Sequence, residues 1–433
     1  MGPFLRPPPE IVTLLGRAFA RLLEPEPPAH RGTRSRPARL PSLTGLRFAA
    51  AGGVVYTHSV LLLNPHLAQS LGPEVWVGGA SVSLFFILSG YVLTHSARPS
   101  DTARAFWRRR AAKILPNHVV TWAVVVSVLA CAGAASIRDA TGITAHLSSL
   151  FLVNTWVPSP TFVSAGNPVS WSLAAEGFFY LLFPVLHPRI ERLSRRGLLA
   201  AAGAAVAAVW ALPAVGAAVV NPAGSFFADY WLLYMLPLSR LPEFVLGMLA
   251  ARMSQEGVRL PRVGVLPAAL GVVSTLLMSS SVLPDRFMFA AATALPLVLL
   301  VHAVAQLDLR GRPSLLRARP IVFLGEISYA MYLVHFLVLG LVVMALLHCG
   351  WSRPLSVLAA MPLVFAASWA QYAGVERPCM RRWSVRRAPA DPESGPGPVR
   401  RKRVGSGTAE GNAPVPGVTP RKPPDSRSTT TAE

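Results

Sequence analysis

Apolar residues in this chain come in long unbroken blocks separated by short polar breaks. A helix needs about 20 apolar residues to cross the hydrocarbon core of a bilayer. Ten blocks approach that length, near residues 46–64, 78–97, 114–134, 171–188, 198–220, 231–251, 264–283, 287–306, 321–348 and 354–375. The pattern predicts an all-α polytopic membrane protein, a bundle of about ten transmembrane helices. The seventh and eighth blocks are the hardest to separate, since only SVLPDR lies between them.

Composition agrees with that reading. Hydrophobic residues make up 52% of the 433 and charged residues 14%, against about 25% charged in an ordinary soluble domain, and the mean hydropathy is +0.45. The net charge of +21 would raise the question of nucleic acid in a soluble protein. Here the arginines fall mainly between the apolar blocks and in the tail, where they read as a topology signal and as contacts to lipid headgroups. One set of connections carries Arg31 to Arg47, Arg98 to Lys113, Arg189 to Arg196, Arg252 to Arg262, Arg310 to Arg319, and Arg377 onward; the alternate set holds only Arg138, Arg286 and Arg353. By the positive-inside rule both termini are expected in the cytoplasm, with the long loop from about 135 to 170 outside.

The chain divides into a cytoplasmic N-terminal segment (1–40), a membrane domain (41–378) and a basic tail (379–433). Arg17 and Arg21 interrupt the apolar stretch of the first segment, which reads as a surface amphipathic helix and not as a signal peptide. The tail is rich in Pro, Gly, Ser, Thr and Arg and is expected to be disordered. Three cysteines, without a CxxC or a Cys/His cluster, suggest neither a disulfide framework nor a metal site. Cys131 and Cys349 fall near outer span ends, where a bridge between them is compatible with the pattern.

Ionisable residues inside spans carry the functional signal, because a bilayer penalises them unless they have a partner or a task. His58 lies about 16 Å along the first helix from Arg47, so an imidazole able to move a proton sits beyond a cationic mouth. Glu176 enters the fourth span, and Arg240 and Glu243 enter the sixth. Tyr329, Tyr332 and His335, spaced by three, share one face of the ninth. Two readings stay open for these later groups: a shared interior cavity that binds substrate, or interhelical bonds that hold the bundle together. Arg108, Arg109, Arg110 and Lys113 crowd the mouth of the third span, either as a positive-inside anchor or as a phosphate fork with Arg110 and Lys113 on one face. Trp171 stands at an outer boundary, the place of an interfacial anchor. Ser170 and Ser172 show no nucleophile-elbow pattern.

The segments LTGLRFAAAGGVVYTHS, SLFFILSGYVLT, RRRAAKILP, WSLAAEGFFYLLFP, LPEFVLGMLAA, LGEISYAMYLVH and VERP occur in order between about 40 and 380. With them the chain resembles the membrane acyltransferase-3 family, bacterial O-acyltransferases of sugars, envelope glycans and macrolides. The resemblance implies an acyl-CoA-dependent enzyme of the bacterial cytoplasmic membrane with no permanently bound cofactor and no metal. Its partners would be the lipid bilayer, the acyl-CoA donor and a carbohydrate or secondary-metabolite acceptor; it leaves the oligomeric state open. It places the essential histidine on His58, preceded by Arg47, and the family's arginine pair on Arg110 and Lys113. Lysine at the second position keeps the charge and loses the bidentate fork. One acid, Glu176, stands where the family often has two.

The resemblance implies that His58 acts as general base on an acceptor hydroxyl, with Glu176 orienting the imidazole. Arg47, Arg110 and Lys113 would hold CoA phosphates, and Trp171, Arg240, Glu243, Tyr329, Tyr332 and His335 are the candidate substrate-binding residues. The alternative is a transporter or flippase for a glycoconjugate, which would also need polar residues at midplane.

Overall fold

A computed structural model describes residues 39–67, 72–98, 101–216, 225–258, 260–261 and 263–384. The surface helix expected within 1–40 and nearly all of the tail expected from 379 lie outside them.

Every regular element among the described residues is helical. The principal helices are α1 (Pro41–Leu63), α2 (Pro73–Ser96), α3 (Ala103–Cys131), the short α4 (Ala140–Leu150), α5 (Trp171–Glu191), α6 (Arg195–Val215), α7 (Pro237–Gln255), α8 (Val265–Val282), α9 (Ala291–Leu309), α10 (Arg319–His348), α11 (Arg353–Gln371) and α12 (Arg377–Ser384). Nine of the described helical runs are long and apolar enough to cross a membrane. The expected seventh span is the exception: α8 is a helix, but its apolar part, Val265–Met278, is shorter. All ten apolar blocks thus become helices of one polytopic membrane fold.

Local chemistry sets the boundaries. Pro41, Pro73 and Pro237 stand at the first position of α1, α2 and α7, where a missing N–H costs nothing. Asp308, at the end of α9, accepts from the backbone N–H and the hydroxyl of Ser42 at 2.7 and 2.8 Å, which satisfies a donor that α1 itself leaves unpaired.

Two boundaries differ from the apolar pattern. Helix α3 starts at Ala103 and not near 114, because Thr102 caps it by accepting from the Ala105 N–H at 3.2 Å; the basic turns FWRRRAAK continue the helix past its apolar block. The block at 231–251 is broken. A π-helical turn covers Tyr230–Met235, Leu236 is extended (ψ 122°), and α7 begins at Pro237, as expected for a residue that proline forces out of the helical region. The tail also begins later than expected, since α12 runs to Ser384.

Helix α2 is buried nearly all round, from Trp76 to Thr94, as befits a helix apolar on every face. It packs on α7 through two glycines. A Cβ on Gly90 would collide with the Phe244 carbonyl, and one on Gly247 with the Ile87 carbonyl, so these backbones touch as small-residue interfaces in membranes allow. Cys131, Cys349 and Cys379 are all free, so the Cys131–Cys349 bridge is not formed.

Gly247→Leu should therefore destabilise the bundle by about 1–3 kcal/mol, the usual cost of overpacking. Gly52→Ala, whose Cβ meets nothing within 4 Å, should be neutral. Melting of the two proteins in one detergent checks this; equal midpoints would mean that the α2–α7 approach is not limiting.

Candidate active site

The first parts of α1, α3, α5 and α10, the second half of α2, and the α11–α12 junction enclose a cavity of about 370 Å³. Arg47, Arg110, Lys113, Glu176, Tyr329 and Glu376 line it. Glu176 accepts from Ser89 Oγ at 3.1 Å and from the Tyr180 hydroxyl. Lys113 is ion-paired with Glu376, which is fully buried and also accepts from Asn117 Nδ2 at 2.8 Å. Arg110 lies beside the rings of Phe106 and Tyr180, 6.0 and 5.9 Å from their centroids. Among the described residues, neither Arg47 nor Arg110 forms an ion pair with a carboxylate. Two guanidinium groups thus face the cavity with their charge available to an anion.

A second, aromatic cavity of about 120 Å³ is bounded by the far half of α1 and by the starts of α2 and α5. The turn before α7 adds Tyr230 and Tyr234. His58, Thr57, Trp171 and Phe289 complete the part nearest the imidazole. His58 Nδ1 lies 3.0 Å from His335 Nε2, and Phe336 packs edge-on against the His58 ring. The two cavities approach from opposite ends of the helices. Val82 and Tyr332 line both, so these side chains form the partition between them. The Tyr332 hydroxyl is fixed, donating to the Val169 carbonyl at 3.1 Å and lying 2.6 Å from Ser172 Oγ.

The structure therefore sorts the sequence-predicted residues into groups. Arg47, Arg110, Lys113, Glu176 and Tyr329 share the first cavity, while His58 and Trp171 line the second. Trp171 is 6% exposed and packs on Tyr234 with ring centroids 4.5 Å apart, so it is a buried wall and not an interfacial anchor. Glu176 bonds to Ser89 and Tyr180, and the partner of His58 is His335; the expected carboxylate–imidazole contact is replaced by an imidazole pair.

Arg240 and Glu243 line neither cavity. Arg240 Nε meets Glu243 Oε2 at 2.6 Å, and its terminal nitrogens donate to Ser83 Oγ at 2.8 Å and the Phe289 carbonyl at 3.1 Å. Both residues are fully buried. With the Arg240 guanidinium tying α2, α7 and the segment before α9 together and Glu243 neutralising it, they take the structural reading and not the substrate-binding one.

Sequence reading missed Glu376, Asn117, Ser89 and Tyr180. Tyr180 had a signal, being four residues beyond Glu176 on the same helical face. Glu376 lay inside VERP with no role given to it, and nothing in its local sequence names Lys113 as its partner.

A family model described as an acyltransferase domain matches residues 40–373, which contain the second cavity and all of the first except Glu376 and Met380. The chain belongs to this acyltransferase-3 family. Relatives include the acyltransferase MdmB of Streptomyces mycarofaciens, 35% identical over 81% of this chain and 94% of the relative. The exopolysaccharide production protein ExoZ of Rhizobium meliloti (strain 1021) is 29% identical over 75% and 96%. The O-acetyltransferase OatA of Staphylococcus aureus is 31% identical over 35% of this chain and 25% of its own length. No solved structure matches the chain.

If the Arg240 network is structural, Glu243→Ala should cost about 3–5 kcal/mol by stranding a buried charge. The double change Arg240→Met with Glu243→Leu should recover most of that loss. Thermal melting in matched detergent decides; a double variant no more stable than the single one would mean that the ion pair is not the source.

Proposed function

We propose that this protein is an integral-membrane O-acyltransferase that moves a short acyl group, such as acetyl, from acyl-CoA to a hydroxyl of a carbohydrate or of a glycosylated or polyketide metabolite. The observation that carries the reading is the partition at Val82 and Tyr332: a cavity with two guanidinium groups free of carboxylate partners lies on one side, and a cavity presenting His58 lies on the other. The first matches the phosphates of CoA, with which planar guanidinium groups form paired hydrogen bonds. The aromatic walls of the second suit a sugar ring or a polyketide face. An exopolysaccharide production protein and an O-acetyltransferase among the relatives support an acceptor of this kind.

The arginine-rich connections lie at the helix ends where the first cavity begins. The positive-inside rule puts that end in the cytoplasm of a bacterial plasma membrane, where acyl-CoA is made, with both termini on the same side. In the reaction His58 Nε2 takes the proton of the acceptor hydroxyl as its oxygen attacks the thioester carbonyl. The C–S bond breaks, CoA departs as thiolate, and the imidazolium returns the proton to sulfur. A positioned base of this kind is worth about 10²–10⁴ in rate. Arg47 and Arg110 hold the donor. Lys113, already paired with Glu376, shapes the wall more than it binds phosphate.

Mass spectrometry of envelope glycans and secreted metabolites, with and without the gene, should reveal the missing acyl mass and name the acceptor. With that acceptor, His58→Ala protein that still inserts should lose about 10²–10⁴ in kcat. Arg47→Gln should raise the KM for acyl-CoA at least about tenfold, since a hydrogen bond to a charged group contributes about 1.5–3 kcal/mol. Full activity in the purified His58→Ala protein sinks the base; acceptor movement without CoA release makes the protein a transporter.

A further inference from the structure

His335 is fully buried in α10 and lines neither cavity. Its Nδ1 lies 3.1 Å from the Met331 carbonyl oxygen, and its Nε2 lies 3.0 Å from His58 Nδ1. Both ring nitrogens are therefore engaged, which removes His335 from the substrate contacts expected of it. A carbonyl oxygen only accepts, so Nδ1 of His335 must carry a proton. In the neutral ring Nε2 then has the lone pair, and His58 must donate from its own Nδ1. That leaves the lone pair of His58 on Nε2, the nitrogen required of a base facing the second cavity.

We propose that His335 is the positioning residue of a histidine–histidine relay: it fixes the tautomer and the ring orientation of His58 and stabilises the imidazolium that His58 becomes. The proposal rests on the base role given to His58 above. The chain Met331 carbonyl, His335, His58 runs in one direction, each group donating to the one before it. When His58 Nε2 takes the hydroxyl proton, its Nδ1–H already points at a neutral acceptor. A carboxylate there would bind the cation more strongly, but in the resting state it would be a charge buried inside a bilayer, with the desolvation cost that entails. A neutral imidazole gives the same orientation without that charge. Its position four residues beyond Met331 on one helix makes the carbonyl that fixes its proton a local group.

The test uses full-length protein carrying ¹⁵N-labelled histidine in lipid, with the His58 signals identified by their loss in His58→Gln. Wild-type protein should show His58 protonated at Nδ1 and bare at Nε2, and His335→Leu should turn His58 into a tautomer mixture. Transfer is read with labelled acetyl-CoA on membrane vesicles from the cells that carry the gene. His335→Leu should lower kcat about 10²-fold with the KM for acetyl-CoA within about twofold, the pattern of a group that acts on the chemical step alone. His335→Gln, whose amide oxygen reaches the place of Nε2, should stay within about tenfold of wild type.

A wild-type His58 protonated at Nε2 overturns the proposal, as does His335→Leu with wild-type kcat, or equal losses in the Leu and Gln variants. Should His335→Leu fail to fold, the wild-type spectrum and the Gln variant still decide. Undiminished transfer by His58→Ala would overturn the base role itself, while the tautomer spectrum reports on the pair separately.

Discussion

A charge or an imidazole surrounded by hydrocarbon has to be compensated by the protein, because no water is there to do it. That constraint organises this molecule. Arg240 is compensated completely, by Glu243, Ser83 and the Phe289 carbonyl, and it becomes a rivet between α2, α7 and the segment before α9. Lys113 is compensated by Glu376, which ties α3 to the α11–α12 junction. His58 is compensated by a second histidine. Arg47 and Arg110 remain, lining a cavity without a carboxylate partner among the described residues, and the missing compensation is the anion expected to bind there. The same energetic rule identifies the rivets and the candidate binding site; the difference lies in whether the partner belongs to the chain.

The backbone around these groups follows from small local features. Glycines at 90 and 247 let α2 and α7 touch, which brings Ser83 within reach of Arg240. Pro237 forces the chain out of helix at Leu236. The π-helical turn before that break carries Tyr230 and Tyr234, which supply a wall of the aromatic cavity. An uninterrupted helix over the same apolar block would have placed these two rings elsewhere. The aromatic cavity thus depends on one proline that a hydropathy reading absorbs without notice.

The helical fold and the presence of both His58 and Arg47 at graded depth were legible because they are properties of single segments, a block of apolar residues or a spacing along one helix. The contacts across helices were not. His335 shared a helical face with Tyr329 and Tyr332 in sequence, yet in the bundle Tyr329 meets the first cavity, Tyr332 stands in the partition and His335 is buried behind His58. Position along α10 separates their roles, and only packing against α1 reveals it. Glu376 was invisible for the same reason, since its partner is on α3. The start of α3 was misplaced for another: an apolar scan stops at FWRRRAAK, whereas capping by Thr102 carries the helix through it. Arg240 and Glu243, three residues apart, could be read either as a pair or as a site, and burial with Arg240 bonded to Glu243, Ser83 and the Phe289 carbonyl resolves them as a pair.

The partition at Val82 and Tyr332 bears on the chemistry that a two-cavity acyltransferase has to control. A hydroxyl is a weak nucleophile, and water is a competing one at high concentration. An activated thioester open to water and to a base would be hydrolysed. In the proposed arrangement the donor cavity holds no imidazole, and the base lies in a small aromatic cavity where an acceptor of matching shape displaces water. Contact between thioester and base then requires passage at the Tyr332 hydroxyl, which Val169 and Ser172 hold in place. Separating the activated donor from the base until the acceptor fills the second cavity favours transfer over hydrolysis without a mobile lid, and it follows from the same packing that buries the charges.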